Sequence, residues 1–348
     1  MRAISIQIPV TADAPPSGED DALRQLAARA AGMATEDIAL VVLRRRSLDA
    51  RRRRQPMWVL RCEVYDHQER PPNLELPPLL RPRLLARPSA TLRPIIVGMG
   101  PAGLFAALAF ADCGVRCVLL DRGAAVEARN LHVRDLRVDG HLEPESNLCF
   151  GEGGAGTYSD GKLFTRSRSP RVQEVYQRLV ALGIDRRILI DAHPHVGTNR
   201  LIPMMPILRD ALREAGHELR FDARVDDLMV REEGGRKRVI GVRLANGEEL
   251  LGGPVLLATG HSARDTFRML ARHGVAMVAK PLAIGARVEH PQALIDDVQL
   301  GDLAGNLAIG AAEYFVAQRV ATERGPRGVY SFCMCPGGFI LPTPTVLD

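Results

Sequence analysis

Aromatic side chains, cysteines and long apolar runs are all scarce in this sequence. Aromatic residues make up 4% of the 348 positions, and Trp58 is the single tryptophan, so no stacking platform for single-stranded nucleic acid is evident. Six scattered cysteines are too few for a disulfide framework. No run of about 18 apolar residues is free of charge, and the first residues lack the apolar core of a secretory signal. These absences predict a cytoplasmic protein that does not span a membrane.

What the chain does contain is ordinary globular material with one local excess of charge. Hydrophobic residues make up 46% and charged residues 25%, enough for two or three domains with their own cores. The net charge is +5, but segment 44–54 holds seven arginines and one aspartate, which leaves −1 for the rest of the chain. This run, Arg44 to Arg54, is the only hint of a nucleic-acid or acidic partner. Because such runs are usually solvated hairpins, nucleic-acid binding is disfavoured.

The order of the predicted elements divides the chain into four parts. Residues 1–70 follow a strand-helix-strand-strand order that resembles half of a ferredoxin-like α+β domain. Seven prolines between residues 71 and 94 predict a stiff linker over 71–92. Residues 93–275 are predicted to form a dinucleotide-binding domain with an insertion, and 276–348 an incomplete, β-rich substrate domain.

Within residues 93–275, apolar patterning predicts short strands that alternate with helices. A helix over 104–112 separates strands at 95–97 and 117–120, an arrangement typical of a parallel sheet. The sequence Asn246-Gly247 predicts a hairpin turn. The remaining predictions are helices at 171–182 and 206–214 and strands at 219–221, 225–230, 239–244, 249–251 and 254–260.

The strongest chemical signal is a glycine-rich turn between the first strand of this part and its helix. The turn, Gly98-Met99-Gly100-Pro101-Ala102-Gly103, fits G-x-G-x-x-G, and Asp121 ends the next strand 23 residues after Gly98. In this context Gly98 permits a tight turn, Gly100 lets a diphosphate approach the backbone, and Gly103 lets helix and strand pack closely. Asp121 is expected to bind both ribose hydroxyls and to disfavour NADP. It does not separate NAD from FAD.

Three segments resemble the glutathione-reductase-like superfamily of FAD proteins. They are I-I-V-G-M-G-P-A-G-L from Ile95, V-L-L-D-R-G from Val118 and V-L-L-A-T-G from Val255. The segment N-L-C-F-G-E-G-G-A-G-T-Y-S-D-G-K at 147–162 narrows the resemblance to a family of bacterial FAD-dependent dehydrogenases whose substrate is not established. Three further segments are similar to the same family: H-P-H-V-G-T at 193–198, K-P-L-A-I-G-A-R-V-E-H-P at 280–291 and S-F-C-M-C-P-G-G at 331–338.

The resemblance implies a cofactor, a fold and a set of cofactor-binding residues. The cofactor is FAD, and the fold is a three-layer α/β, Rossmann-like FAD/NAD(P)-binding domain. Glycines in segment 151–162 would let N–H groups converge on an anion, with a mobile surface loop as the alternative. Although 151–156 also fits G-x-G-x-x-G, no strand is predicted before it and no helix directly after it. The expected cofactor-binding residues are Gly98, Gly100, Pro101, Ala102, Gly103, Asp121, Arg122, Gly153, Gly154, Ala155, Gly156, Ser159, Lys162, Val225 (on the adenine side), Thr259 and Gly260.

Candidates for catalysis carry a weaker signal. Cys333 and Cys335 form a C-x-C pair that is either packed, a redox pair beside the flavin, or half of a metal site. Because no second pair has zinc spacing, no metal is expected. His290 is a candidate acid or base. His193 and His195 are candidate ligands or bases, but their flanking residues favour a turn.

The sequence therefore predicts an FAD-dependent oxidoreductase that acts on a small molecule. A second strand–G-x-G-x-x-G–helix unit for NAD(P)H is not found, so a nicotinamide donor would visit the substrate cleft transiently. The alternatives are an NAD-linked dehydrogenase and a non-catalytic FAD- or RNA-binding protein. The superfamily usually closes its cofactor site with a late segment, which is not found after Gly338. We therefore expect a C-terminally truncated chain with an incomplete flavin half.

Overall fold

The computed structural model describes residues 1–11, 20–50, 55–82, 93–163, 165, 167–332 and 334–346. Three sequence predictions fall outside these ranges, namely those on Arg51–Arg54, on residues 83–92 of the linker and on Cys333. The described chain is a mixed α/β protein with parallel and antiparallel sheets. Every helix in these ranges is too short or too polar to cross a bilayer.

The elements fall into two compact units. The strands are β1 (Arg2–Pro9), β2 (Ile38–Asp49), β3 (Met57–Asp66), β4 (Ile95–Val97), β5 (Val118–Leu120), β6 (Glu218–Arg220), β7 (Val225–Glu233), β8 (Arg236–Leu244), β9 (Glu249–Leu251), β10 (Val255–Leu257), β11 (Ala317–Val320) and β12 (Arg327–Tyr330). The helices are α1 (Asp21–Ala31), α2 (Pro101–Asp112), α3 (Val126–Val138), α4 (Arg171–Ala181), α5 (Thr198–Glu214), α6 (Arg264–Arg272) and α7 (Gln292–Leu300). The first unit comprises residues 1–75, 186–194 and 284–340, and the second comprises 76–185, 195–283 and 341–348. In this division, residues 284–340 group with the first 75 residues, and the predicted domain bounds stay a prediction.

In the first unit, β1, β3 and β2 form an antiparallel sheet that packs against α1. β3 lies between β1 and β2, which is the strand order of a split β-α-β unit. Along β1, Ile6 is buried and Ile4 and Ile8 are half-buried, as the alternating pattern predicts. From α1, Leu23 and Ala27 are fully buried in the same core.

Arg46 departs from the expectation that the basic run is a solvated hairpin. Its side chain is buried, and its Nε and Nη2 atoms donate to Oδ1 of Asp191 at 2.9 and 2.6 Å. Its guanidinium carbon also lies 5.8 Å from the centre of the Trp58 ring. Arg44 is exposed and pairs with Glu63. Since both arginines already pair with carboxylates, the described part of the run offers less charge to a polyanion.

A parallel sheet in the order β10-β4-β5-β6 organises the second unit. Because β4 comes first along the chain, the strand order reverses between β4 and β10. Ligands of open α/β sheets bind at the carboxyl ends of the strands, beside such a reversal. The antiparallel sheet β7-β8-β9 shares a core with this sheet, in which Ile95, Leu120 and Val242 are buried together.

The helix α5 begins eight residues before the predicted start at Pro206. It includes both Pro203 and Pro206, each of which removes one helical hydrogen bond. Proline suits the first position of a helix, so a start at Pro206 is consistent with local preference. The longer helix persists because it buries an apolar face, which includes Leu201, Met204 and Leu208, and this burial outweighs the lost bonds.

Part of the predicted linker is fixed to the second unit. Residues 71–82 contain no helix or strand, as their prolines predict. However, the carbonyl oxygen of Leu79 accepts a hydrogen bond from Arg178 at 2.7 Å, and the N–H of Arg81 donates to Asp112 at 2.7 Å. Since Arg178 and Asp112 are both buried, the end of this segment is held by a buried ion pair.

The segment 284–340 lies within residues 276–348, which were predicted to be β-rich. Its described residues contain α7 and the antiparallel pair β11 and β12. Gln292 joins its parts, because its Nε2 donates to Ala312 O at 3.0 Å and its Oε1 accepts from Gly337 N at 2.8 Å. Several large apolar side chains are exposed, among them Ile284 and Leu307 at 93% and 97%.

His217 makes the stability of the second unit depend on pH. Its ring is buried, and its Nδ1 accepts a hydrogen bond from Cys117 N at 3.0 Å. Burial lowers the pKa of His217 below its ordinary value. Below pH of about 6.5 the unfolded chain therefore binds more protons than the folded chain, so this contribution to stability falls as pH falls.

His217→Asn keeps an acceptor and removes the titration, so its urea midpoint should fall less between pH 7 and pH 5. Equal falls for both proteins would show that His217 does not titrate on unfolding.

Candidate functional site

β4 passes into α2 through a turn whose geometry requires Gly98. The φ angle of Gly98 is +103°, which L side chains rarely adopt, and an added Cβ would lie 2.4 Å from the oxygen of Ala258. The N–H of Gly98 donates to the oxygen of Leu120 at 2.7 Å. The turn therefore joins the ends of β4, β5 and β10, beside the reversal in strand order.

The next two glycines place the start of α2 against this turn. Gly100 is the N-cap, and α2 begins at Pro101, three residues before the predicted start at Leu104, because proline suits the first helical position. An added Cβ at Gly103 would lie 1.9 Å from the oxygen of Gly98. The first N–H groups of α2 have no partner within the helix and carry its positive dipole end. An anion at this helix start would meet those donors.

A second glycine segment, Gly151–Gly156, packs directly on the Gly98 turn. The N–H of Gly153 donates to the oxygen of Met99 at 2.8 Å. An added Cβ at Gly154 would lie 2.9 Å from the Cα of Gly100. As predicted, no strand precedes this segment; a short 3-10 turn, Gly154–Tyr158, overlaps its end. The structure therefore brings together two glycine segments that are about 50 residues apart in the sequence.

Asp121 stabilises the turn in a way that the sequence did not indicate. Its side chain is 5% exposed at the end of β5, and its two oxygens accept from Met99 N at 2.6 Å and from Gly123 N at 2.9 Å. Burial raises the pKa of Asp121, while these backbone donors oppose the rise. The predicted ribose contact stays a prediction: a carboxylate has about four acceptor sites, and backbone donors at Met99, Gly123 and Gly151 use three of them.

A buried cation, Arg129, lies behind the second glycine segment and was missed by the sequence analysis. Its side chain is fully buried on α3. It donates to the carbonyl oxygens of Asn147 at 2.9 Å, Gly151 at 3.3 Å, Glu152, and Gly154 at 3.0 Å. The sequence predicted no helix at 126–138, and an arginine whose partners are backbone carbonyls leaves no pattern in the sequence.

A carboxylate of the same segment, Glu152, also points inward. It is buried, accepts from Val126 N at the start of α3 at 2.8 Å, and lies 3.3 Å from Arg209 Nη1. Arg209 also pairs with Glu127 and thereby lowers the pKa of Glu127, whereas burial raises the pKa of Glu152. These groups fix the segment between α3 and α5.

A cavity of about 660 Å³ opens at the carboxyl ends of β5 and β6. Arg122, Arg224 and His132 are among its lining residues. Arg122 follows Asp121, donates to Glu145 at 2.7 Å, and its guanidinium carbon lies 4.3 Å from the centre of the Phe150 ring. Val225, predicted on the adenine side, lines a separate cavity of about 240 Å³. The first cavity is therefore lined by the residue that directly follows Asp121.

The remaining predicted cofactor residues lie on two further loops. Thr259 and Gly260 follow β10, whose end is tied to β4 by the bond from Ala258 N to Val97 O at 2.8 Å. Ser159 is exposed, and its hydroxyl donates to Gly156 O at 2.7 Å. Lys162 pairs with His195 in an isolated β-bridge, and His195 Nε2 lies 3.0 Å from Asp160 Oδ1.

The other candidate side chains have different surroundings. In the first unit, His290 Nε2 lies 2.9 Å from the hydroxyl of Tyr314, and Cys335 is half-buried. Burial raises the pKa of the Cys62 thiol to about 11 and that of Cys117 to about 12. These last two thiols therefore stay protonated and unreactive near neutral pH.

Two family models and one relative match parts of the chain. Residues 281–347 match a model described as "FAD-dependent protein, C-terminal domain-like", and residues 2–65 match a domain of unknown function, DUF8436. An uncharacterized protein from Clostridium beijerinckii is 41% identical over 249 residues, which are 72% of this chain and 45% of the relative. The match therefore spans less than half the length of that relative.

Similar solved structures include three proteins at low identity. THI4 from Thermovibrio ammonificans is 16% identical, with 53% of this chain and 64% of that chain covered and a TM-score of 0.35. A 3-ketosteroid-Δ4-(5α)-dehydrogenase from Rhodococcus jostii RHA1 is 17% identical, with 56% and 51% covered and a TM-score of 0.34. Glycine oxidase from Bacillus cereus is 14% identical, with 53% and 59% covered and a TM-score of 0.34. These likenesses are too distant to support an argument about this chain.

Proposed function

We propose that this chain binds FAD in its second unit and acts as an FAD-dependent oxidoreductase. The observation that carries the proposal is the packing of Gly151–Gly156 on the Gly98 turn, at the start of α2 and beside the strand reversal. The family model at residues 281–347 supports FAD as the cofactor. The match to the curated relative covers less than half of that protein. The activity of the whole protein is therefore also a proposal.

The residues fit the adenosine diphosphate part of FAD in shape and in donor chemistry. Gly98, Gly103 and Gly154 lie where a β-carbon would collide with backbone, so the Gly98 turn, the start of α2 and the second glycine segment can pack closely on each other. The N–H groups at the start of α2 would hold the diphosphate. Asp121 would accept from the ribose, and the cavity beside Arg122 has the volume for a base.

The remaining roles follow from the positions of the predicted residues. Gly156, Ser159 and Lys162 would lie toward the flavin, and Ala155 would lie beside the diphosphate. Thr259 and Gly260 would lie beside the cofactor at the end of β10. FAD, when bound, supplies hydride or electron transfer. The chain itself would bind and orient the cofactor and a small-molecule substrate. A nicotinamide donor would enter the substrate cleft transiently.

Calorimetric titration of the purified chain with FAD, NAD and NADP tests the cofactor. We expect FAD to bind at least about tenfold more tightly than either nicotinamide dinucleotide, a difference of about 1.4 kcal/mol. Asp121→Asn, which keeps the side-chain shape, should weaken FAD binding because it removes an acceptor from the turn and the ribose. Tighter binding of NAD than of FAD would instead favour the NAD-linked dehydrogenase.

Anaerobic reduction of the bound flavin tests the oxidoreductase part separately. NADH or NADPH added to the FAD-loaded chain should bleach the visible flavin absorption. Flavin that stays oxidised with both donors would favour a non-catalytic FAD-binding protein.

A further inference from the structure

Arg129 is a fully buried cation. Among the described residues, it forms no salt bridge with a carboxylate. The nearby carboxylates bind elsewhere: Asp121 accepts from backbone N–H groups, and Glu152 from Val126 N and Arg209. Arg129 itself donates to carbonyl oxygens and lies 4.8 Å from the centre of the Tyr158 ring. A buried charge is costly unless it is paired. Burial lowers the pKa of Arg129, and the charges of Asp121 and Glu152 offset only part of this effect. An anionic ligand nearby would offset this cost.

The carbonyl groups that face Arg129 fix the direction of the N–H groups on the same peptides. Because these peptides are trans and planar, each N–H points away from the guanidinium when its carbonyl points toward it. In the peptide between Glu152 and Gly153, the N–H reaches the oxygen of Met99 in the Gly98 turn. In the peptide between Gly154 and Ala155, the carbonyl of Gly154 accepts from Arg129 at 3.0 Å, so the N–H of Ala155 points away from the guanidinium.

We infer that Arg129 is a positioning residue that gives the second glycine segment, Gly151–Gly156, a preference for a diphosphate. Arg129 fixes the direction of the Ala155 N–H and supplies a positive charge behind this segment, without touching the ligand. The N–H groups of Glu152, Gly153 and Gly154 donate within the protein, to the oxygens of Ala124, Met99 and Gly151. The inference rests on the proposed function, and it names the part of the ligand that the second unit selects. The ligand class is therefore a nucleoside diphosphate, whether free or as part of a dinucleotide.

The test compares ADP with adenosine, because the two differ only in the diphosphate. Calorimetry on the full chain should show ADP binding at least about tenfold more tightly than adenosine, the size expected of charge-assisted contacts. Arg129→Met should remove most of this ratio and leave the affinity for adenosine within about threefold. Arg129→Lys keeps the charge and loses the fourfold donor geometry, so its ratio should be intermediate. Arg134→Met is the matched control, since Arg134 lies on the same helix with a 64% exposed side chain.

Each outcome decides the inference. If Arg129→Met weakens ADP and adenosine equally, Arg129 only orders the segment, and the inference is wrong. If the wild-type chain does not prefer ADP to adenosine, the inference is wrong without any variant. If Arg129→Met does not fold, the ratio of ADP to adenosine affinity is compared between the wild-type chain and Arg129→Lys. An Arg129→Lys variant with the wild-type ratio and the wild-type adenosine affinity would contradict the geometric role of Arg129. Failure of the wild-type chain to bind both FAD and ADP would overturn the proposed function as well. Normal FAD binding with an unchanged ratio in Arg129→Met overturns the inference alone.

Discussion

Replacement of Arg178 by methionine is expected to lower the free energy of unfolding by about 3–5 kcal/mol. The side chains of Arg178 and Asp112 are 3% and 0% exposed and form an ion pair. Arg178 also donates to the oxygen of Leu79. The substitution would leave the Asp112 carboxylate buried without its guanidinium and would release residues 79–81 from α4. Urea denaturation of the variant and the wild-type chain measures the effect.

Two further variants separate the buried charge from a general loss of packing. The double variant Arg178→Met with Asp112→Leu removes both charges, so it should recover a large part of the lost stability. Arg213→Met is the surface control, because Arg213 is 52% exposed and lies 3.7 Å from Asp210, and it should change stability by less than about 0.5 kcal/mol. A double variant that is less stable than Arg178→Met would contradict this account of the pair.

Alanine at position 103 is expected to abolish retention of FAD by the chain. The added Cβ would lie 1.9 Å from the oxygen of Gly98, so α2 must move away from the turn or the turn must open. Such overpacking costs about 1–3 kcal/mol of stability, and it displaces the N–H groups that would hold the diphosphate. Gel filtration after incubation with FAD, followed by flavin absorbance of the protein peak, measures retention.

Gly285→Ala is the matched control for this substitution. Gly285 has no heavy atom within 4 Å of an added Cβ, and its φ lies outside the left-handed region. The control should retain FAD like the wild-type chain. If Gly103→Ala retains FAD like the wild-type chain, the diphosphate does not bind at the start of α2, and the proposed binding site is wrong.

The parts of the site that the sequence predicted are those encoded by short-range patterns. The Gly98 turn needs only a strand, three spaced glycines and a helix, all of which lie within about 20 residues of each other. The alternation of Ile4, Ile6 and Ile8 likewise reports one face of one strand. The packing of Gly154 on Gly100 was not predicted. Both segments were expected to bind the cofactor, but their spacing in the sequence does not indicate that they contact each other.

The parts that the sequence did not predict depend on contacts between distant residues. Arg178 and Asp112 are 66 residues apart, and Arg209 and Glu127 are 82 apart, so no local pattern marks them as pairs. Arg129 lies on α3, a helix that the sequence analysis did not predict, and its partners are backbone carbonyls of another segment. For α5, tertiary burial outweighed the local effect of proline, so its start was placed eight residues too late.

The central claim is that the second unit binds FAD, and the visible absorption spectrum of the chain tests it most directly. The purified wild-type chain should be incubated with excess FAD and separated from free flavin by gel filtration. The account predicts flavin absorption in the protein peak at about one FAD per chain. A colourless protein peak, from a chain shown to be folded by its cooperative urea transition, would contradict it.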